Sequence, residues 1–166
     1  MADWFTVNVR DAPWRTHDTF GSATRFEDPE LPFPEFGINL RVLRPGQPNS
    51  LYHRESLQED FLVLAGECLL LVEGEERRLG AWDFVHCPPE TDHVFVGAGD
   101  GPCVILMAGS RDPNEVVVYP VSELAARYGA SVETQTDVPK EAYAPYGRPS
   151  DGRPPDWDKL PWTVGY

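Results

Sequence analysis

From residue 37 onward, apolar and polar positions alternate in short runs separated by glycine or proline. The run 38–43 alternates cleanly and ends in the turn sequence Arg44-Pro45-Gly46-Gln47-Pro48-Asn49. Further runs follow at 50–55, 60–64, 68–73, 83–87, 93–96 and 103–108, with a weaker one at 116–119. Arg77 and Leu79 lie on the return of a hairpin that turns at Gly74, and Glu73 to Arg78 reads as its solvated charged tip. Short strands at this rhythm predict an all-β sandwich or barrel. One helix is predicted at 122–129, capped by Ser122 and stopped by Gly129.

The flanks have a different texture. Residues 1–36 mix Trp4, Phe5, Trp14, Phe20 and Phe26 with prolines, too apolar a mixture for a disordered tail. They predict an extended arm with short strands at 4–9 and 23–27. Residues 130–166 are again proline-rich but carry Trp157 and Trp162, so they predict an arm docked on the barrel or on a second subunit, with disorder as the alternative. The expected organisation is an N-terminal arm over 1–36, a barrel over 37–119, and a short helix with a C-terminal arm over 120–166. Exposed strand edges and aromatic arms together predict a homodimer with arms crossing between subunits.

Charge narrows the partners. The chain's formal net charge is −13, which repels phosphate backbones and anionic membrane surfaces, so neither nucleic acid nor membrane is an expected partner. No run is apolar enough to span a bilayer, and the first ten residues lack the basic-then-apolar order of a signal peptide. Cys68, Cys87 and Cys103 are widely spaced among apolar or proline neighbours and read as buried thiols, which suits a reducing cytoplasm.

Candidate chemistry gathers in Pro45-Gly46-x6-His53-x-Glu55-x3-Glu59-x6-Gly66. His53 and Glu55 are two apart on a strand and share a face. Glu59 follows a short turn, and a hairpin of that size would return it beside them; His93 opens a later strand after Pro88-Pro89. Carboxylates inside an apolar barrel must be paired or coordinated, and His with carboxylate is a ligand set for Fe, Mn or Zn. His53, Glu55, Glu59 and His93 are therefore candidate ligands of one divalent ion: Fe(II), Mn, Zn or Ni. Glu55 could instead accept a hydrogen bond from a bound molecule, act as general base, or pair with Arg41. Of the neighbours His86 and Cys87, only one can face the site, and His86 is the stronger candidate. His17 and Asp92 read as surface and turn residues, and Phe61, Phe84 and Phe95 as barrel core.

These motifs resemble those of the cupin superfamily, G-x5-H-x-H-x3,4-E-x6-G and G-x5-P-x-G-x2-H-x3-N. His53, Glu59 and Gly66 match the first, with Glu55 in place of its second histidine and Gly46 one residue early. Pro88 and His93 match the second, with Trp82 and Glu90 where it has glycines and no final asparagine. The likeness covers about residues 38–109, and the His-x-Glu form is similar to bacterial single-domain cupins. It implies a double-stranded β-helix (jelly-roll) barrel with a metal site. The implied activity is that of a metal-dependent dioxygenase, isomerase or lyase acting on a small organic molecule. The alternatives are a non-catalytic binding or sensing module and a metal-free scaffold.

Overall fold

The computed structural model describes residues 4–28 and 30–163. Its strands are β1 (Trp14–His17), β2 (Gly21–Thr24), β3 (Phe36–Leu43), β4 (Arg54–Glu55), β5 (Glu59–Ala65) and β6 (Glu67–Val72). They continue with β7 (Glu75–Gly80), β8 (Phe84–Cys87), β9 (His93–Ala98), β10 (Cys103–Ser110), β11 (Val117–Val118) and β12 (Ser150–Asp151). Two single-turn helices, α1 (Glu123–Ala126) and α2 (Pro139–Ala142), lie in the C-terminal segment. Seven strands form one sheet in the order β12-β1-β2-β3-β10-β5-β8, three form a second as β7-β6-β9, and β11 pairs with β4.

The two larger sheets close on each other through a shared interior. Leu43, Phe61, Val63, Cys103, Ile105 and Met107 of the large sheet meet Cys68, Leu70 and Phe95 of the small one. Alternation then sends Leu40, Val42, Val104 and Leu106 to the opposite face of the large sheet. That outer face is also covered, by Trp14 from the N-terminal arm and Leu160, Trp157 and Trp162 from the C-terminal arm. Burial on both faces explains why β10 reads as the continuous apolar run Cys-Val-Ile-Leu-Met-Ala. The small sheet's outer face (Leu71, Val94, Val96) is covered by Ala125 and Ala130 of the α1 segment.

The arms thus dock on their own barrel. β1 pairs with β2 and β12, so both arms extend the large sheet. No strand forms at 4–9, the strand expected at 23–27 lies at 21–24, and a further one forms at 14–17, where Trp14 stacks on Trp162 at 5.4 Å. The predicted eight-residue helix is one turn: Ser122 caps it as expected, Oγ accepting from the Ala125 amide at 3.2 Å, but it stops at Ala126.

Two departures from the motif sit on left-handed backbone. Trp82 and Glu90, standing where glycines are usual, have φ of 76° and 68°, the left-handed region that glycine takes without cost. Phe84, expected in the core, is 64 % exposed, because β8 is the free edge of the large sheet and turns Val85 inward instead.

Candidate metal centre

His53 and His93 come from distant parts of the chain but pair as a β-bridge. Each backbone amide donates to the other's carbonyl, at 3.1 and 2.8 Å, so the two rings start from adjacent positions. Both are buried, His53 8 % and His93 1 % exposed. Each Nδ1 is tied to a carbonyl two residues back, His53 to Leu51 at 2.8 Å and His93 to Thr91 at 3.0 Å. A donating Nδ1–H makes Nε2 the ligand atom of each ring once it carries no proton, the arrangement seen when backbone carbonyls orient metal-bound histidines.

Glu59 supplies the third group. It opens β5, and its Oε2 lies 3.2 Å from His93 Nε2 and 4.0 Å from His53 Nε2. The three ligand atoms lie within 4.8 Å of one another, so these residues could hold a metal ion. The His93 Nε2 is shut off from solvent and makes no hydrogen bond of good geometry. A buried polar atom without a partner is rare, and a metal ion would satisfy this one; the donor set fits Fe(II), Mn or Zn.

Glu55 sits at the rim. Its Oε1 is 3.7 Å from His53 Nε2, and it is outside the three-residue cluster. Glu59 does not reach the site through a local hairpin with Glu55: β4 pairs with β11, while β5 pairs with β8 and β10. Nor does Glu55 pair with Arg41, which makes no ion pair among the described residues. Its companion is Glu115, a residue without a motif, brought in because β11 runs beside β4. Burial, a hydrogen bond to Glu55 and repulsion from Glu55 and Glu59 raise the Glu115 carboxyl to about 7. Burial also acts upward on Glu55, but hydrogen bonds from His53 and Glu115 outweigh it and lower its pKa. The pair therefore holds one proton near neutrality.

Burial alone would lower the His93 pKa. The Cys87 thiol nearby and the Glu59 carboxylate 3.2 Å from Nε2, neither in good hydrogen-bond geometry, prevail and raise it to about 10. Cys87 is the inward member of its pair: it is buried and opposite Glu59 in the β5–β8 ladder. His86 faces away and is held at 2.7 Å by Asp60 on the outside. Asp92 also faces away, accepting from Arg54 at 3.0 Å, which fixes the turn before His93. Tyr119, 6 % exposed, stacks over the His53 ring at 5.9 Å.

Residues 39–109 match the family model described as Cupin domain. This segment is a cupin domain. It contains His53, Glu55, Glu59 and His93, whereas Glu115 and Tyr119 lie beyond its end. No curated protein matches the chain. Solved cupins do. One is a sugar phosphate isomerase of the cupin superfamily from Silicibacter pomeroyi, 26 % identical over 68 % of this chain and 79 % of that one, TM-score 0.59. The polyketide cyclase RemF from Streptomyces resistomycificus is 17 % identical over 68 % and 84 %, TM-score 0.58. An RmlC-like cupin from Shewanella frigidimarina is 18 % identical over 68 % and 95 %, TM-score 0.56. A structure from Acidithiobacillus ferrooxidans is 29 % identical, but the match spans 55 % of that protein and 50 % of this chain at a TM-score of 0.48. Among the described residues, no helix is long and apolar enough to cross a membrane.

Proposed function

We propose that the cupin domain binds one divalent metal through His53, Glu59 and His93 and acts as an isomerase- or lyase-type enzyme on a small organic molecule. The observation that carries the metal is the pair of Nε2 atoms converging on Glu59, one of them buried without a hydrogen bond. A metal there would supply Lewis-acid polarisation of a substrate oxygen. Glu55 has the properties of a general base: ionised, at the rim, and hydrogen-bonded to a carboxyl that titrates near 7. The alternative role for Glu55, in place of the base, is that of a fourth ligand, its oxygen lying 3.7 Å from His53 Nε2.

The isomerase side is favoured over an oxygenase by this carboxylate pair, which suits proton transfer, and by the likeness at 26 % identity to a sugar phosphate isomerase. The second reading is a non-catalytic small-molecule binding module, since a fold hosts both roles. Incubating metal-loaded protein with aldose and ketose phosphates in D2O separates them. Deuterium entering carbon-bound positions, lost in Glu55→Gln, supports the enzyme. Binding without exchange supports the module, and O2 consumption the oxygenase.

A homodimer is also proposed, though on different grounds than crossing arms. Trp14, Trp157 and Trp162 of the arms pack within one chain, whereas Trp82 (74 % exposed) precedes, and Phe84 (64 %) opens, the free edge strand β8. Sedimentation equilibrium of the wild type and Phe84→Lys tests this.

A further inference from the structure

A cavity of about 860 Å3 lies between the β1–β2–β3 part of the large sheet and the segment 140–149. None of His53, Glu55, Glu59 or His93 lines it. Its charge is opposite to that of the protein. Arg15, Arg25, Arg41, Arg111, Lys140 and Arg148 line it with one carboxylate, Glu27, and outside the lining the exposed Asp151 lies 3.5 Å from Arg15. These are six of the chain's 14 Lys and Arg residues, in a molecule of net charge −13.

The pattern is built by register. Arg15, Ala23 and Arg41 form one cross-strand row through β1, β2 and β3. The two arginines are two strand spacings apart, about 10 Å, and the small side chain of Ala23 leaves a hollow between them. Glu27 is already spent on Arg111, with contacts of 2.6 and 2.8 Å. Arg41, by contrast, forms no ion pair among the described residues, and its Nε is buried without a hydrogen-bond partner. Two residues along the same strand, the Asn39 Oδ1 is buried and unpartnered as well. Burying a charge without a counter-charge is costly, and burial accordingly lowers the Arg41 pKa, opposed only by Tyr143. An orphan guanidinium N–H asks for an anion, and an orphan amide oxygen asks for a hydroxyl donor. Phe20, Tyr143 and Tyr146 add an aromatic wall, their rings 4.8 to 6.3 Å apart.

We propose that this cavity binds a hydroxylated organic anion, its phosphate or carboxylate held by Arg41 and Arg15 and a hydroxyl held by Asn39. The site goes beyond the metal-centre reading and does not need the metal. The two sites share a wall: Ser50 lines the cavity with its Oγ 3.5 Å from His53 Nδ1, and Tyr143, also lining it, packs edge-on against Tyr119 at 5.6 Å.

Isothermal titration of the full chain with ribose 5-phosphate, gluconate, inorganic phosphate and neutral ribose tests the site, before and after chelator treatment. At least one of the two hydroxylated anions should bind with Kd below about 1 mM, with neutral ribose at least tenfold weaker, and binding should survive chelation. Arg41→Met should weaken binding tenfold or more while melting no lower than wild type, because it removes an uncompensated charge. If that variant does not fold, the exposed pair Lys140→Gln with Arg148→Gln carries the test, with an expected loss of at least threefold. Arg78→Gln, on the outer hairpin, should change nothing. The proposal is overturned if neither hydroxylated anion binds, if ribose or inorganic phosphate binds as well, if chelation abolishes binding, or if folded cavity variants bind as the wild type does. A protein that takes up no metal yet binds the anion would sink the metal reading and leave this one standing.

Discussion

The metal centre and the arginine cavity sit on one barrel and are built in opposite ways. At the centre, two backbone-paired histidines and Glu59 satisfy most of their polar atoms locally, and the group left over, His93 Nε2, calls for a cation. In the cavity the group left over is Arg41 Nε, which calls for an anion. The candidate ligands all come from the cupin segment 39–109, whereas the cavity needs β1, β2 and the segment 140–149 from both arms. The arms of this chain therefore add a binding surface to the cupin barrel as well as covering its outer face.

The largest way to break this contrast is to loosen an arm. Trp14 is 5 % exposed, packs on Trp157 and Trp162, and precedes Arg15 on β1. Trp14→Ala should cost about 4 kcal/mol in urea unfolding and weaken anion binding, with metal stoichiometry unchanged in the folded fraction. Equal loss at both sites would mean the arm supports the whole barrel rather than the cavity.

Next comes Glu59→Gln. Losing a group that merely supports a metal's ligands costs roughly 10–100-fold in affinity, so losing a ligand itself should cost at least about 100-fold. Anion binding should be unaffected; a chelator-competition assay alongside calorimetry reads both.

Glu55→His sharpens the centre itself. If Glu55 touches the metal, exchanging oxygen for nitrogen should shift preference from Mn toward Zn or Ni by roughly tenfold, about 1.4 kcal/mol. An unchanged order of ion affinities would leave Glu55 as a base at the rim.

How much of this was legible in the sequence follows the same division. Spacing placed His53, Glu59 and His93 together because their positions follow from strand alternation and a shared motif. It mis-set the pair His86–Cys87, since Phe84-Val85 are both apolar and parity depended on β8 being an edge, which only sheet order reveals. Glu115 escaped because it reaches Glu55 through β11 pairing with β4, across 60 residues of chain. Arg15, Ala23 and Arg41 escaped for the same reason: each looks like an ordinary strand residue until register aligns them. The helix at 122–129 was over-long because Ser122 and Gly129 mark ends of a turn-rich segment as readily as of a helix.

The smallest effect concerns the two motif glycines that became Trp82 and Glu90. Left-handed backbone at a residue with a Cβ costs roughly 1–2 kcal/mol, so Trp82→Gly and Glu90→Gly should each raise stability by about 1 kcal/mol. Neither should alter either site. A stability loss would mean that these side chains make contacts worth more than the strain.

The central claim is one divalent ion on His53, Glu59 and His93. Its most direct test is calorimetric titration of chelator-treated protein with Mn, Fe(II), Zn and Ni at pH 8, in two buffers of different ionisation enthalpy. His93, held near 10 in the metal-free protein, is protonated at that pH and must give up its proton to bind. The account predicts 1:1 uptake of at least one ion, release of about one proton, and loss of both signals in His93→Ala. Failure of all four ions to bind, or unchanged uptake in His93→Ala, would contradict it.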